Sequence, residues 1–208
     1  LDAKKRGVEV SQRLYGIFFL YFNQAADGGL NAEMVINNSF EFEYFSYDDF
    51  NCESPVDVRS AYMAFWQIYG SGKSYISDFG GMNENNPHFL ILEVGGVFHL
   101  ENPGYFTKNA FDRYGMVMNE GETYNFSMWV KRMGFAGVAK VCLQDATGCC
   151  TTVGEIEISK ACDGEWVRLS TQIQSKKSAV GRLYIVLSGN GTIGVDYFSL
   201  LPLSVWGD

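Results

Sequence analysis

A long series of short strand-like segments, separated by turn-forming residues, is the feature that most constrains the fold of this chain. The segments are apolar throughout or alternate between apolar and polar residues. They cover residues 62–69, 89–94, 114–118, 124–131, 138–144, 154–158, 166–174, 182–188 and 195–201. Turn signals separate them, including Asn119-Glu120-Gly121, Asp163-Gly164 and Gly189-Asn190-Gly191. Because no long helical period competes with this pattern, it predicts an all-β domain, either a β-sandwich or a jelly roll.

The alternation within these segments predicts which side chains face the core, because successive side chains of a strand point to opposite faces. The inward set comprises Tyr124, Phe126, Met128, Val130, Val167, Leu169, Thr171, Ile173, Leu183, Ile185 and Leu187. The same alternation puts two aromatic side chains, Trp129 and Tyr184, on polar outward faces. Trp166 also points outward, but its position after a turn favours a ring covered by a loop.

The N-terminal part of the chain differs from the rest. Residues 8–22 are predicted to form a strand pair or one extended segment, and a short helix is predicted over residues 30–36. Residues 48–55 are polar, which is typical of a loop or a boundary. We therefore expect an N-terminal segment over residues 1–50, packed on a sandwich over residues 51–208.

Composition excludes several classes of function. The 208 residues carry a formal net charge of −8 and have a pI near 4.8, which disfavours nucleic acid because that affinity comes mainly from Lys and Arg. The longest apolar runs, such as residues 14–22, are too short to span a membrane as a helix. The residues from Leu1 onward do not show the charged segment followed by an apolar run that is typical of a signal peptide. We expect a mature or trimmed, soluble protein.

The five cysteines are Cys52, Cys142, Cys149, Cys150 and Cys162. An odd number leaves at least one thiol unpaired, and no pair of CxxC motifs indicates zinc. The simplest interpretation is that they are structural thiols. A disulfide from Cys149 or Cys150 to Cys162 is an alternative that the sequence leaves open.

Outward aromatic rings among amides and hydroxyls are typical of sugar recognition, since the apolar face of a pyranose stacks on a ring and polar groups bind its hydroxyls. Trp129, Tyr184, Gln144 and Gln172 would share one groove if their strands lie in one sheet. Tyr105 follows a Pro-Gly turn and is a further candidate. The alternative for an outward tryptophan is that a loop or the N-terminal segment covers it, and the alternative for Tyr105 is a mobile loop residue that takes no part in binding.

Neither a catalytic nor a metal site stands out clearly in the sequence. The histidines, His88 and His99, lack metal or nucleophile spacing, and there is no nucleophile elbow or phosphate-binding glycine loop. The acids of residues 38–43 and the Gly194-Val195-Asp196 stretch supply oxygen ligands of the type that calcium prefers. Scattered acids can equally be surface residues.

Two stretches together resemble a known family. Residues 14–19 (LYGIFF), 25–30 (AADGGL) and 38–42 (NSFEF) resemble the opening of family 51-type α-L-arabinofuranosidases. Residues 86–90, 124–127, 181–183 and 194–202 resemble the sandwich, similar to carbohydrate-binding modules of families 4 and 9, that follows this opening in many such enzymes. The resemblance covers nearly the whole chain.

The resemblance implies a galactose-binding-like jelly roll with an attached N-terminal segment. It also implies a structural calcium ion held by Glu41 and Asp196, with Glu43 as a looser addition. Leu20 and Tyr21 stand where the enzymes have Glu-Asp, so that sugar-contacting role is not expected here. The catalytic barrel with its two glutamates should begin after residue 208, so the chain is expected to be non-catalytic.

The favoured function is a secreted module that binds plant cell-wall polysaccharide, namely xylan, xyloglucan or mixed-linkage glucan, and accompanies catalytic or cellulosomal modules. One alternative is a structural N-terminal part of an α-L-arabinofuranosidase without a ligand of its own. Another is a protein-interaction sandwich, which an exposed apolar patch would favour.

Overall fold

Strands form nearly all the regular structure of the described residues, which are 32–42, 62–105 and 115–206 of the computed structural model. They are β1 (Gln67–Ser77), β2 (Phe89–Asn102), β3 (Met116–Met118), β4 (Thr123–Asp145), β5 (Cys150–Glu157), β6 (Trp166–Gln174) and β7 (Ala179–Pro202). Two short 3₁₀ helices, Ile158–Lys160 and Leu203–Trp206, complete the elements. In these parts of the chain, no helix is long and apolar enough to cross a membrane.

The strands pair antiparallel in the order β1-β2-β7-β4-β5. Strand β6 pairs with the first half of β4, β5 pairs with its second half, and β3 pairs with the start of β7. Gly154 of β5 approaches Thr171 and Ile173 of β6 so closely that an added Cβ would lie 2.9 Å from Thr171 Cγ2. The part of the sheet that contains β5 therefore faces the part that contains β6 over one core. The predicted all-β, sandwich-like fold is confirmed.

The core follows the predicted alternation. Tyr124, Phe126, Met128 and Val130 are buried, as are Ile173, Leu183, Ile185 and Leu187. Val167 and Leu169 are partly buried and pack against this core. Apolar side chains of every strand contribute to it, so hydrophobic burial, worth about 25 cal/mol per Å², stabilises the two halves of the sheet together.

The predicted turn at Gly189-Asn190-Gly191 is wrong, because all three residues lie within β7 and pair with β2, and Gly189 and Asn190 also pair with β4. A Cβ on Gly189 would lie 2.2 Å from the carbonyl oxygen of Ala136, and Gly191 has φ +113°. These glycines serve close strand contact rather than chain reversal. Four predicted strands are therefore parts of two long strands. Residues 182–188 and 195–201 both belong to β7, and residues 124–131 and 138–144 both belong to β4.

The predicted strand over residues 62–69 begins later than expected, because residues 62–65 form a turn and β1 starts at Gln67. The Asn37 amide donates hydrogen bonds to the carbonyl oxygens of Tyr62 and Ala64, at 2.8 and 2.9 Å. Trp66 donates its indole N–H to the carbonyl of Asn37. These side-chain contacts hold the turn against the segment 32–42.

The predicted helix over residues 30–36 is not confirmed, since residues 32–35 have no regular structure and 36–39 form a turn. The backbone N–H of Met34 donates to the carbonyl of Leu200, and Leu200 N–H donates to the Glu33 carboxylate. Tertiary hydrogen bonds thus replace helical ones. Residues 32–42 belong to the same compact unit as the sheet, and the boundary predicted at residue 50 lies outside the described residues.

The hairpin between β4 and β5 carries a disulfide between Cys142 and Cys150. This corrects the interpretation of these two residues as structural thiols and also the alternative bridge to Cys162, because Cys149 and Cys162 are free and exposed. Cys52 lies outside the described residues. The two bonded cysteines lie in neighbouring, antiparallel strands, a proximity that only the hairpin register creates.

Removing this disulfide is expected to lower the free energy of unfolding by about 2 kcal/mol, because the bond closes a short loop in the unfolded chain. Cys142→Ala, compared with wild type by urea unfolding, measures the effect. Cys162→Ala is the matched control and should change stability by less than about 0.5 kcal/mol. Equal stability of Cys142→Ala and wild type would contradict the prediction.

Candidate functional site

The sequence-predicted binding residues lie on two separate surfaces of the sheet rather than in one groove. Tyr184 and Gln144 are near each other, because Tyr184 pairs with Cys142 and Gln144 pairs with Arg182. Trp129 and Gln172 share the face of the β4–β6 pair, at the opposite end of β4. The long, continuous β4 separates the two pairs, and each pair therefore belongs to a different candidate site.

The first surface contains a row of three rings from β1, β2 and β7, namely Tyr69, His99 and Tyr184, which we call the ring platform. The Tyr69 and His99 centroids are 4.8 Å apart, and those of His99 and Tyr184 are 5.7 Å apart, with interplanar angles of 20° in both cases. The Tyr184 hydroxyl and His99 Nδ1 are hydrogen-bonded at 2.6 Å. Register explains the row, because Tyr69 is directly opposite His99 and Tyr184 is diagonal to it.

An ion pair lies beside the ring platform. The Arg182 guanidinium contacts the Glu101 carboxylate through Nη1 and Oε2, and its Nε donates to Gln144 Oε1 at 2.7 Å. Gln144 in turn donates from Nε2 to the carbonyl of Gly148. The side chains of Glu101 and Arg182 are only 7% and 15% exposed. Gln144 therefore positions the ion pair, since both ends of its amide are already bonded within the protein.

The platform is partly open to solvent. Tyr69 is 46% exposed, on the edge strand β1 of the described sheet, whereas His99 and Tyr184 are half-buried. The Tyr69 hydroxyl donates to Glu101 Oε1 at 2.6 Å, and burial together with the Glu101 carboxylate raises the pKa of Tyr69. The ring thus stays neutral and is held in place. It offers a fixed aromatic surface next to a polar one.

The second surface is a depression of about 500 Å³ on the outward face of β4, β6 and the end of β7. We call it the polar groove. The polar side chains of its lining on this outward face are Asn125, Ser127, Arg168, Ser170, Gln172 and Ser199. Arg168 donates from Nη2 to Ser127 Oγ at 3.0 Å. Hydroxyl and amide groups dominate this lining, with one guanidinium as its charged group.

The two tryptophans of the sheet face have different environments. Trp129 is half-buried and lies directly opposite Arg168, at the end of the polar groove. Trp166 is also half-buried: its indole N–H donates to the carbonyl of Gly80, and its ring meets Phe89 edge-on at 5.1 Å. Lys131 Nζ lies 5.9 Å from the Trp166 ring centroid. Trp129 is thus the tryptophan of this pair that adjoins a candidate site.

Tyr105 belongs to neither surface. It is half-buried, and its hydroxyl lies 3.5 Å from the carbonyl oxygen of Val35. The adjacent Gly104 approaches Met34 so closely that an added Cβ would lie 2.9 Å from the Met34 oxygen. Tyr105 therefore packs against the segment 32–42.

Two of the predicted calcium ligands, Glu41 and Asp196, lie near each other. Burial raises the pKa of Asp196 to about 8, and the charge of Glu41 contributes to this rise. Asn86 donates from Nδ2 to Asp196 Oδ2 at 3.2 Å, and His88 approaches both oxygens of Glu41 through its backbone N–H and ring Nδ1. Glu43, the third predicted ligand, lies outside the described residues.

The side chains around Asp196 supply some of the oxygen ligands that a calcium ion needs. In the described parts of the chain, no three His, Cys, Asp or Glu side chains form a metal-binding group. A calcium ion would be held by the two carboxylates, with amide or backbone oxygens completing its shell. Asn86 already contacts Asp196, and reorienting its amide would present an oxygen there. A divalent cation would also relieve the unfavourable burial of the Asp196 charge.

Sequence reasoning missed Tyr69, His99 and Glu101. Tyr69 was placed at the end of a strand that in fact begins at Gln67, and the segment 89–94 stopped short of His99 and Glu101, although β2 continues to Asn102. Alternation in residues 97–101, where apolar Phe98 and Leu100 alternate with His99 and Glu101, is the signal that would have extended β2.

The whole chain resembles part of known glycosidases in sequence. It is 33% identical over 203 residues to the extracellular exo-α-L-arabinofuranosidase of Streptomyces chartreusis, covering 97% of this chain and 21% of that protein. It is 28% identical to α-L-arabinofuranosidase 1 of Arabidopsis thaliana, covering 98% of this chain and 29% of that protein. No family model matches the chain.

Solved structures share the fold. An arabinose-bound GH51 α-L-arabinofuranosidase superimposes with a TM-score of 0.68 at 22% identity, covering 91% of this chain and 29% of that one. The enzymatically active domain of a bacteriophage CBA120 tailspike protein gives a TM-score of 0.56 at 11% identity, covering 83% of this chain and 22% of that one. The predicted resemblance is confirmed: this chain is similar over almost its whole length to a segment of α-L-arabinofuranosidases, and it spans 21–29% of the length of these curated relatives.

Proposed function

We propose that this chain is a non-catalytic module that binds polysaccharide through the ring platform. The observation that carries the proposal is the row of Tyr69, His99 and Tyr184 on the outward sheet face, beside the Glu101–Arg182 ion pair. A glycosidase of the usual kind needs two carboxyl groups flanking the scissile bond. Glu101 is instead held by Arg182 and by the Tyr69 hydroxyl, which suits binding rather than hydrolysis.

Sugar binding by such a surface follows from elementary interactions. The exposed face of Tyr69 can stack against the C–H face of a pyranose ring. His99 and Tyr184 stack behind Tyr69 and hold its ring in place. The nearby polar groups can exchange hydrogen bonds with sugar hydroxyls. Contacts of this type give micromolar to millimolar dissociation constants, or about −4 to −8 kcal/mol.

The proposed ligand class is plant cell-wall β-glycan or hemicellulose: xylan, xyloglucan or mixed-linkage glucan. Its support is the similarity to α-L-arabinofuranosidases, one of which is named as extracellular. We accordingly propose secretion and association with catalytic or cellulosomal modules. The net charge of −8 agrees with a neutral polysaccharide partner rather than nucleic acid at the platform.

Affinity gel electrophoresis of the purified chain tests the proposal. Gels containing xylan, xyloglucan, mixed-linkage glucan or pectin are compared with a gel lacking polysaccharide, and bovine serum albumin is the non-binding control. Retardation in some gels and not in others is expected. The same preparation should release no arabinose from arabinoxylan. Unretarded migration in every gel would overturn the binding function.

A structural part of an α-L-arabinofuranosidase is the second candidate. The observation that favours it is the match of 97% of this chain to only 21% of the Streptomyces chartreusis enzyme. In this case the sandwich supports other parts of a larger protein and has no ligand of its own. It predicts unretarded migration in the gels, so the same experiment separates the two candidates.

We also propose that Glu41 and Asp196 hold a structural calcium ion. Calcium at about 100 times its dissociation constant is expected to raise Tm by roughly 5–10 °C relative to EDTA. Asp196→Asn should remove this response. Asp145→Asn is the matched control, because buried Asp145 is already paired with Lys177 at 2.8 Å. Identical melting of the wild-type protein in calcium and in EDTA would contradict the calcium site.

A further inference from the structure

We propose that the polar groove is a second, separate ligand site, and that it binds a carboxylate-bearing sugar, the uronic acid of an acidic polysaccharide. This inference deepens the proposed polysaccharide binding, but it rests on different residues. The ring platform and the polar groove lie at opposite ends of β4, since Gln144 is beside the platform and Asn125 lines the groove.

The chemistry of the lining points to a sugar. Asn125, Ser170 and Gln172 are exposed side chains that can both donate and accept hydrogen bonds, as sugar hydroxyls do. The volume of about 500 Å³ lies within the range of small-molecule sites. Leu201 adds an apolar surface at one end. This combination can bind a hydroxylated ring in several directions at once.

The charge of the lining points to an acid. Arg168 is the charged residue among the described residues that line the groove, and none of these residues carries a carboxylate. A guanidinium binds a carboxylate with two parallel hydrogen bonds, which are stronger than neutral ones. A single cation in a protein of net charge −8 is a local positive site. This one guanidinium can bind one carboxylate of a ligand, whereas a densely charged phosphate polymer is bound by several cations.

The guanidinium is also positioned. Ser127 is 5% exposed, and its hydroxyl accepts a hydrogen bond from Arg168 Nη2 at 3.0 Å, which holds one nitrogen of the guanidinium in place. Trp129 lies directly opposite Arg168 in the β4–β6 pair, where side chains on one face are within contact reach. An aromatic side chain and an oriented cation therefore adjoin the same end of the groove.

The test uses a glucuronoxylan and the same polymer after reduction of its carboxyl groups, so that only the charge differs. Arg168→Gln is expected to weaken binding of the acidic polymer at least tenfold and to leave binding of the reduced polymer unchanged. Lys140→Gln is the matched control, because it removes one positive charge from an exposed residue of β4 outside the groove. Arg168→Lys should restore affinity only in part, since an ammonium lacks the paired donors.

The outcomes separate the groove from the platform. Loss of the preference for the acidic over the reduced polymer in Arg168→Gln, with this preference retained in Tyr69→Ala, supports the groove even if the platform fails. Equal losses in Arg168→Gln and Lys140→Gln would mean general charge attraction and would overturn the inference. Equal wild-type affinity for the acidic and the reduced polymer would also overturn it. Because Arg168→Gln loses the hydrogen bond to buried Ser127, a small decrease in Tm is expected, and circular dichroism verifies folding.

Discussion

Arg182→Ala is expected to lower the free energy of unfolding by about 3 kcal/mol, as measured by urea unfolding. The substitution leaves the Glu101 carboxylate buried without its cation, because Glu101 is 5% exposed and its ion pair with Arg182 is largely shielded from water. The Tyr69 hydroxyl still donates to Glu101 but cannot neutralise it. An uncompensated buried charge is far more costly than a lost surface contact.

Lys73→Ala is the control for this prediction. Lys73 and Glu93 form an ion pair at 4.0 Å with side chains 78% and 43% exposed, and such pairs contribute less than about 1 kcal/mol. Glu101→Gln combined with Arg182→Gln should recover part of the loss, since it removes both charges. If Arg182→Ala and Lys73→Ala had equal effects, burial of the Glu101–Arg182 pair would not be what stabilises this edge of the sheet.

Replacing both Tyr69 and Tyr184 by alanine is expected to abolish retardation on neutral polysaccharide gels. Tyr69→Ala alone should weaken binding about tenfold, which corresponds to roughly 1.4 kcal/mol. The double change removes both end rings of the platform and leaves His99 without its stacking partners. The measurement is the change of mobility with polysaccharide concentration.

Tyr75→Ala is the matched control for the platform. Tyr75 lies on the same strand as Tyr69 and is similarly exposed, at 38% against 46%, but it pairs with Ile91 instead of His99. Its replacement should leave retardation unchanged. Wild-type retardation of the doubly substituted protein, with its fold verified by circular dichroism, would place the binding surface elsewhere.

The predicted alternation of β6 and of the first half of β4 is confirmed, because this pattern is local. Residues 166–174 were predicted as a strand, and β6 has these bounds. Phe126 and Met128 are buried as predicted, while Asn125 and Trp129 lie on the opposite face. A period of two depends only on strand geometry, so one segment contains all the information that its two faces require.

Other features depend on distant parts of the chain. The helix predicted over residues 30–36 gives way to hydrogen bonds with Leu200, far along the sequence. The Gly189-Asn190-Gly191 stretch is typical of a turn, yet close contact with Ala136 makes it part of a long strand. Local propensity is weak, and such tertiary contacts override it.

The candidate sites also combine features that local alternation predicts with features that depend on distant parts of the chain. Tyr184 and Trp129 were predicted to face outward from alternation alone, and both lie on outward faces. The sequence by itself thus determined the all-β class, most inward and outward positions and the resemblance to α-L-arabinofuranosidases. Only the tertiary structure decided that Tyr69, His99 and Tyr184 form one row and that Trp129 belongs to a different surface. The reason is that strand order and register join residues far apart in the chain, and no local pattern specifies them.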